Sequence, residues 1–169
     1  MTPLAAGGAA TLLSFAALGV FFALYGLPWL SRQARAEALI ALLWVHAFRH
    51  IALQIYSAQK YGLAVSDFGR DRIAAGDVIG MVLALTAILT LHRGSAWAIA
   101  LTWLFAAATL YDLIDSTIIG LGENLFDSVA GVTWLILTFY VPLLWWTLAL
   151  VVWQLLSRRG EPLAVKRPA

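Results

Sequence analysis

Six side chains inside otherwise apolar segments could do chemistry: His46, Arg49, His50, Asp77, Asp112 and Asp115, with Gln54 as a neutral seventh. On an α-helix, His46, Arg49, His50 and Gln54 follow i, i+3, i+4, i+8 spacing and should project from one face. Asp112 and Asp115 are three apart and should also share a face, with Thr109 and Ser116 beside them. Asp77 lies in Gly76-Asp-Val-Ile-Gly80, whose glycines at i and i+4 would let a neighbouring helix backbone come close. A charged side chain in a membrane span costs about +2.5–3.5 kcal/mol on insertion scales, so such groups normally face the bundle interior and carry a role.

The residue types allow several chemistries. Three carboxylates face Arg49, an obligate cation. Carboxylates sharing a desolvated site cannot cheaply all ionise, and a proton, a protonated histidine or a bound cation would relieve them. Acid/base work could use Asp112 or Asp115 as acid and His50 as base, with Asp77 as a further donor or acceptor of protons. His46-x-x-x-His50 with nearby aspartates is a weak metal pattern, and no metal or other cofactor is expected. The structural alternative is a buried ion pair that staples helices together.

What positions these groups is a set of membrane spans. The chain has 169 residues, 62% hydrophobic and 12% charged. A soluble domain carries about a quarter charged residues, so a cytosolic globule, a disordered chain and a nucleic-acid binder are excluded. There is no cysteine, which removes disulfides, thiolate metal sites and thiol redox chemistry. Three histidines are too few for a membrane di-iron hydroxylase. His92 lies at the far end of its span from His46 and His50, so a bis-histidine haem has no axial pair. No span holds a lysine for a retinal Schiff base, and no Ser/His or His-Glu-x-x-His arrangement supports an intramembrane protease.

Five apolar stretches reach the roughly 20 residues that a hydrocarbon core of about 30 Å requires. They run over about 4–30, 38–57, 73–91, 96–119 and 129–156, joined by polar loops. The runs are continuous rather than alternating, so they are helices and not barrel strands. Pro142 should kink the fifth. Gly94 is the turn residue between the third and fourth. The first run lacks a basic leading segment and exceeds a signal-peptide core, so it reads as a span. The expected architecture is an all-α bundle of five transmembrane helices. It has one domain over 1–157 and a polar cytoplasmic tail over 158–169.

Orientation follows from the basic residues. Lys60, Arg70 and Arg72 lie on one side; Arg32, Arg35, Arg93, Arg158, Arg159, Lys166 and Arg167 lie on the other. The basic side faces the cytoplasm, which puts the N-terminus outside and the C-terminus inside. Trp29, Trp97 and Trp153 then fall near the cytoplasmic interface. Asp77 should lie just over one turn below the outer surface and Asp112 and Asp115 one to two turns below it, level with Arg49 and His50. One site in the extracytoplasmic half is expected.

His46-Ala-Phe-Arg-His50, Gly76-Asp77, Trp103-Leu-Phe105 with Asp112-Leu113, Thr133-Trp-Leu-Ile-Leu-Thr138 and Val141-Pro-Leu-Leu144 resemble a family of small bacterial multi-pass membrane proteins. The resemblance spans about Trp44 to Leu144. It implies a bacterial origin, hence the inner membrane, and that the polar positions belong together, but no chemistry. The size and the carboxylate-lined pocket are also similar to the EXPERA group of sterol isomerases and sterol-binding proteins, from which no residue role is carried over. The leading expectation is a binding or accessory membrane protein. His46, Arg49, His50, Gln54, Asp77, Asp112 and Asp115 would line a pocket that holds a lipophilic ligand or organises a complex. An isomerase- or cyclase-type enzyme and a metal-binding protein are the alternatives. Expected partners are membrane lipids, a lipophilic small molecule and other membrane subunits or further copies of the chain, with no nucleic acid.

Overall fold

The computed structural model describes residues 1–161; Lys166, Arg167 and the rest of the tail from 162 onward lie outside the described residues. The described residues are helical, with no strand among them. Five helices are long and apolar enough to cross a membrane: α1 Pro3–Arg32, α2 Arg35–Lys60, α3 Asp67–His92, α4 Ala98–Gly122 and α5 Gly131–Ser157. At about 1.5 Å per residue even the 25-residue α4 is about 38 Å long, more than a hydrocarbon core needs.

Local chemistry sets the ends. Thr2 caps α1, its hydroxyl accepting from the Ala5 N–H, and Pro3 occupies the first turn, where no N–H is needed. Ser66 caps α3 through the Gly69 N–H, with Asp67 at the positive end of the helix dipole. The third span therefore starts six residues earlier than its apolar run suggests. The α3–α4 turn is a Schellman motif: Ser95 N–H bonds Thr90 O, Gly94 N–H bonds Leu91 O, and Gly94 takes φ +62°.

Three of the helices are irregular inside. α1 carries a π-helical turn at Phe22–Gly26, two residues before Pro28, and α5 one at Ile136–Tyr140, two residues before Pro142. A proline lacks the N–H and its ring crowds the carbonyl four residues back, and the wide turn absorbs both defects. α2 tightens to a 3-10 helix over Arg49–Gln54. The Tyr140 hydroxyl on α5 donates to Val45 O at 2.7 Å, a carbonyl that a regular α-helix would pair with the Arg49 N–H.

α3 and α4 pack along their length. Buried residues on α3 fall at Asp77, Gly80, Ala84, Ala87 and Leu91, and on α4 at Ala98, Thr102, Phe105, Thr109 and Asp112. Both are 3–4 alternations, the seam of left-handed helix pairs. α2 packs on α3 and α5, α5 also on α1 and α4, and α1 leans on α5 with most of its surface outside the bundle. Trp146 on α5 sits over Gly19 of α1 and donates its Nε1–H to Phe15 O at 3.0 Å.

Two apolar cores result. The larger joins Leu39, Leu43, Ile88, Leu91, Phe105, Leu148 and Val151; the smaller, at the opposite end, joins Ile55, Leu63, Val65, Ala74 and Leu125. The charged layer lies between them. At the end holding the larger core, Arg158 donates to Leu30 O and Gln33 O and pairs with Glu161, which holds the Glu161 carboxyl below the usual carboxylate range.

Candidate functional site: a charged layer beside an apolar cavity

Arg49 is the centre. It is 1% exposed, and the tightened turn aims it into the bundle. Its Nε donates to Asp77 Oδ1 at 2.7 Å, its Nη2 to Asp112 Oδ2, and its Nη1 to the Thr109 hydroxyl at 3.5 Å. Three helices thus meet on one guanidinium, whose fork suits two carboxylates at once.

The two glycines of α3 make this possible in a different way from the one their spacing suggests. They admit side chains rather than a backbone. A Cβ on Gly76 would lie 1.6 Å from Asp112 Oδ1, and one on Gly80 would lie 2.6 Å from Arg49 Nη1. The Asp112 carboxylate and the Arg49 guanidinium therefore rest in the two gaps.

Asp77 is ten residues into α3 and Asp112 ten residues from the end of α4, so each lies about 15 Å from the same end of the bundle. The layer sits nearly three turns from that end of the helices, because the polar residues 67–72 are helical. Arg49, Asp77 and Asp112 do converge at one level, as the antiparallel spans imply.

Four expected members stand elsewhere. His50 is exposed on the outside of the bundle. Three residues per turn in the 3-10 segment put Arg49, Ala52 and Ile55 inward and His50, Leu53 and Tyr56 outward, so the α-helical i, i+3, i+4 face does not form. His46, before the break, is fully buried among apolar side chains. Its Nε2 lies 3.0 Å from the Thr147 hydroxyl and its ring packs edge-on against Phe105. The Thr147 hydroxyl also lies within hydrogen-bond distance of Leu143 O, at 2.8 Å. Asp115 falls off the α4 seam and pairs instead with Arg72, Nε to Oδ2 at 2.7 Å, while Arg72 Nη2 donates to the Tyr111 hydroxyl at 2.5 Å. The side chains of Arg72 and Asp115 are 41% and 27% exposed. Gln54 reaches the inside but exchanges hydrogen bonds with Thr133 of α5, at 3.0 and 3.1 Å. His46 and His50 diverge, and among the described residues no three His, Cys, Asp or Glu side chains come together as metal ligands would.

The charged layer borders a cavity of about 230 Å³. Arg49, Asp77 and Asp112 line it, as do Gln54 and Thr133, and most of the other lining residues are apolar, Leu113, Leu125, Ile136, Leu144 and Trp145 among them. Apolar walls with a few convergent polar groups are the usual make-up of a ligand pocket. Tyr140, which holds the α2 break in place, lines it as well. Neither that role nor the partnership of Arg72 with Asp115 is visible in the residue spacing, because both depend on helix rotation.

Fold and site together define a five-helix bundle of membrane-spanning dimensions with a buried Arg–Asp–Asp layer open to an apolar cavity. The chain belongs to the family described as Domain of unknown function (DUF8737), which matches residues 7–156. No curated protein and no solved structure matches it.

Proposed function

We propose that the protein is a multi-pass membrane protein of the bacterial inner membrane that binds a lipophilic ligand in this cavity. The observation that carries the reading is that Asp77 and Asp112, both held by Arg49, border a space walled mostly by apolar side chains. In the proposed orientation the N-terminus is outside and the C-terminus cytoplasmic. Supporting it, Arg32, Arg35, Arg93, Arg158 and Arg159 cluster at one end of the bundle, where Trp29, Trp97 and Trp153 are all exposed. The cavity then lies in the extracytoplasmic half.

The test is extraction in native lipid followed by mass spectrometry of bound small molecules, beside a variant with the cavity filled, Ala52→Phe. A lipophilic compound retained by the wild type and lost from a folded Ala52→Phe supports the reading. An empty wild type that also fails to take up any lipophilic probe overturns it. An acid/base isomerase or cyclase is the second reading, favoured by two carboxylates lining the cavity. It would use Asp77 and Asp112 rather than His50 or Asp115. Chemical change of the bound compound on incubation separates it from simple binding.

A further inference from the structure

We infer that the guest of this cavity is a lipophilic monocation, an alkylammonium whose charged head docks against Asp77 and Asp112. The inference rests on the ligand-binding reading and adds the charge of the ligand to it. Arg49 contributes one positive charge and the two aspartates two negative ones, so with all three ionised the layer carries one unbalanced negative charge. Among the described residues no other Lys, Arg or His lines the cavity. Asp115, the remaining intramembrane acid, is already balanced by Arg72 on the outer surface.

The donors and acceptors are asymmetric in the same direction. The guanidinium has a partner on each of its three nitrogens and the side chain is 1% exposed, so it offers an anionic guest less surface than the carboxylates offer a cation. Asp77 engages Arg49 through Oδ1, and the Asp77 and Asp112 side chains keep 12% and 10% of their surface accessible. The neighbouring polar pair, Gln54 and Thr133, is satisfied internally. A largely buried carboxylate with accessible surface against an apolar wall is matched by an ammonium on an apolar stem. A neutral guest of the same shape leaves the excess charge in place, and a carboxylate guest adds to it.

Three probes with one tail separate these cases: dodecylammonium, dodecanol and dodecanoate, titrated onto the purified protein in a neutral maltoside and read by native mass spectrometry. The ammonium should bind at least about tenfold more tightly than the alcohol, with the carboxylate weakest. Asp112→Asn and Asp77→Asn each bring the layer to neutrality. Each should abolish the preference for the ammonium while keeping dodecanol binding, which also reports that the variant is folded. A didodecylammonium probe separates a membrane lipid from a single-chain amine, and preference for either cation over its alcohol supports the inference. Equal affinity for ammonium and alcohol, or a preference that survives both Asn variants, overturns it while the ligand-binding reading stands. Failure of all three single-chain probes to bind the wild type removes both.

Discussion

Gly76→Ala is the sharpest perturbation of the site, because it adds one methyl group and no charge. The new Cβ would meet Asp112 Oδ1 at 1.6 Å, against about 3.4 Å for ordinary contact, so the carboxylate must retreat by about 1.8 Å (3.4 − 1.6). Asp112 is held on the α4 seam with Thr109 and Phe105 and cannot translate with its helix, so it must swing off Arg49. Removing one partner from a buried pair costs about 3–5 kcal/mol. Alanine returns up to about 1 kcal/mol of helix propensity over glycine, which leaves a net loss of about 2–4 kcal/mol. In an Asp112→Ala background the obstructing carboxylate is gone, and Asp112 Cβ lies at 3.4 Å. The same substitution should then be neutral or mildly stabilising. Unfolding followed by circular dichroism in mixed micelles measures all four corners of this cycle. Equal effects of Gly76→Ala in the two backgrounds would refute the seating of Asp112 over Gly76. Gly8→Ala, with nothing within 4 Å of its Cβ, is the control and should change stability by no more than about 1 kcal/mol.

Arg49→Met should destabilise by about 3–5 kcal/mol in the same assay, since it strands two buried carboxylates; Arg49→Lys should recover little, because one ammonium cannot present the fork that serves both. His50→Ala should stay within about 0.5 kcal/mol and leave ligand binding unchanged, whereas His46→Ala, which opens a buried hole beside Phe105 and Thr147, should cost about 2–4 kcal/mol. Orientation is read cleanly because the chain has no native cysteine: Tyr61→Cys should react with an impermeant maleimide on intact spheroplasts and Ala96→Cys only after lysis, the reverse pattern inverting the assignment.

The number of spans, the level shared by Arg49, Asp77 and Asp112, and the Gly94 turn are all legible in the residues, because each follows from hydropathy or from a local backbone requirement. The rotation of each helix about its own axis is not. At 3.6 residues per turn His50 shares a face with Arg49, and the break that turns it outward is met by a Tyr140 hydroxyl 90 residues away. The three-residue spacing of Asp112 and Asp115 places both on one α-helical face. The 3–4 alternation of Ala98, Thr102, Phe105, Thr109 and Asp112 continues to 116, however, and this could have placed Asp115 off the seam. Arg72 precedes an apolar run that starts at Ile73, although Ser66 followed by Asp67 is a helix start.

A structural staple and a binding site make different demands on the same three residues. A staple is best served by one acid per base, closed packing and no accessible carboxylate surface, since every exposed edge of a buried charge weakens the pair without adding specificity. Here a second acid accompanies the one arginine, both acids keep part of their surface open, and the opening faces a cavity rather than a neighbouring helix. The glycines point the same way. Gly80 lets the guanidinium lie against α3, while Gly76 draws Asp112 across the α3–α4 seam to the side on which Arg49 and the cavity lie. Seating a second carboxylate there adds electrostatic cost that stapling would avoid, and a proton on one acid or the proposed cationic guest would each offset that cost.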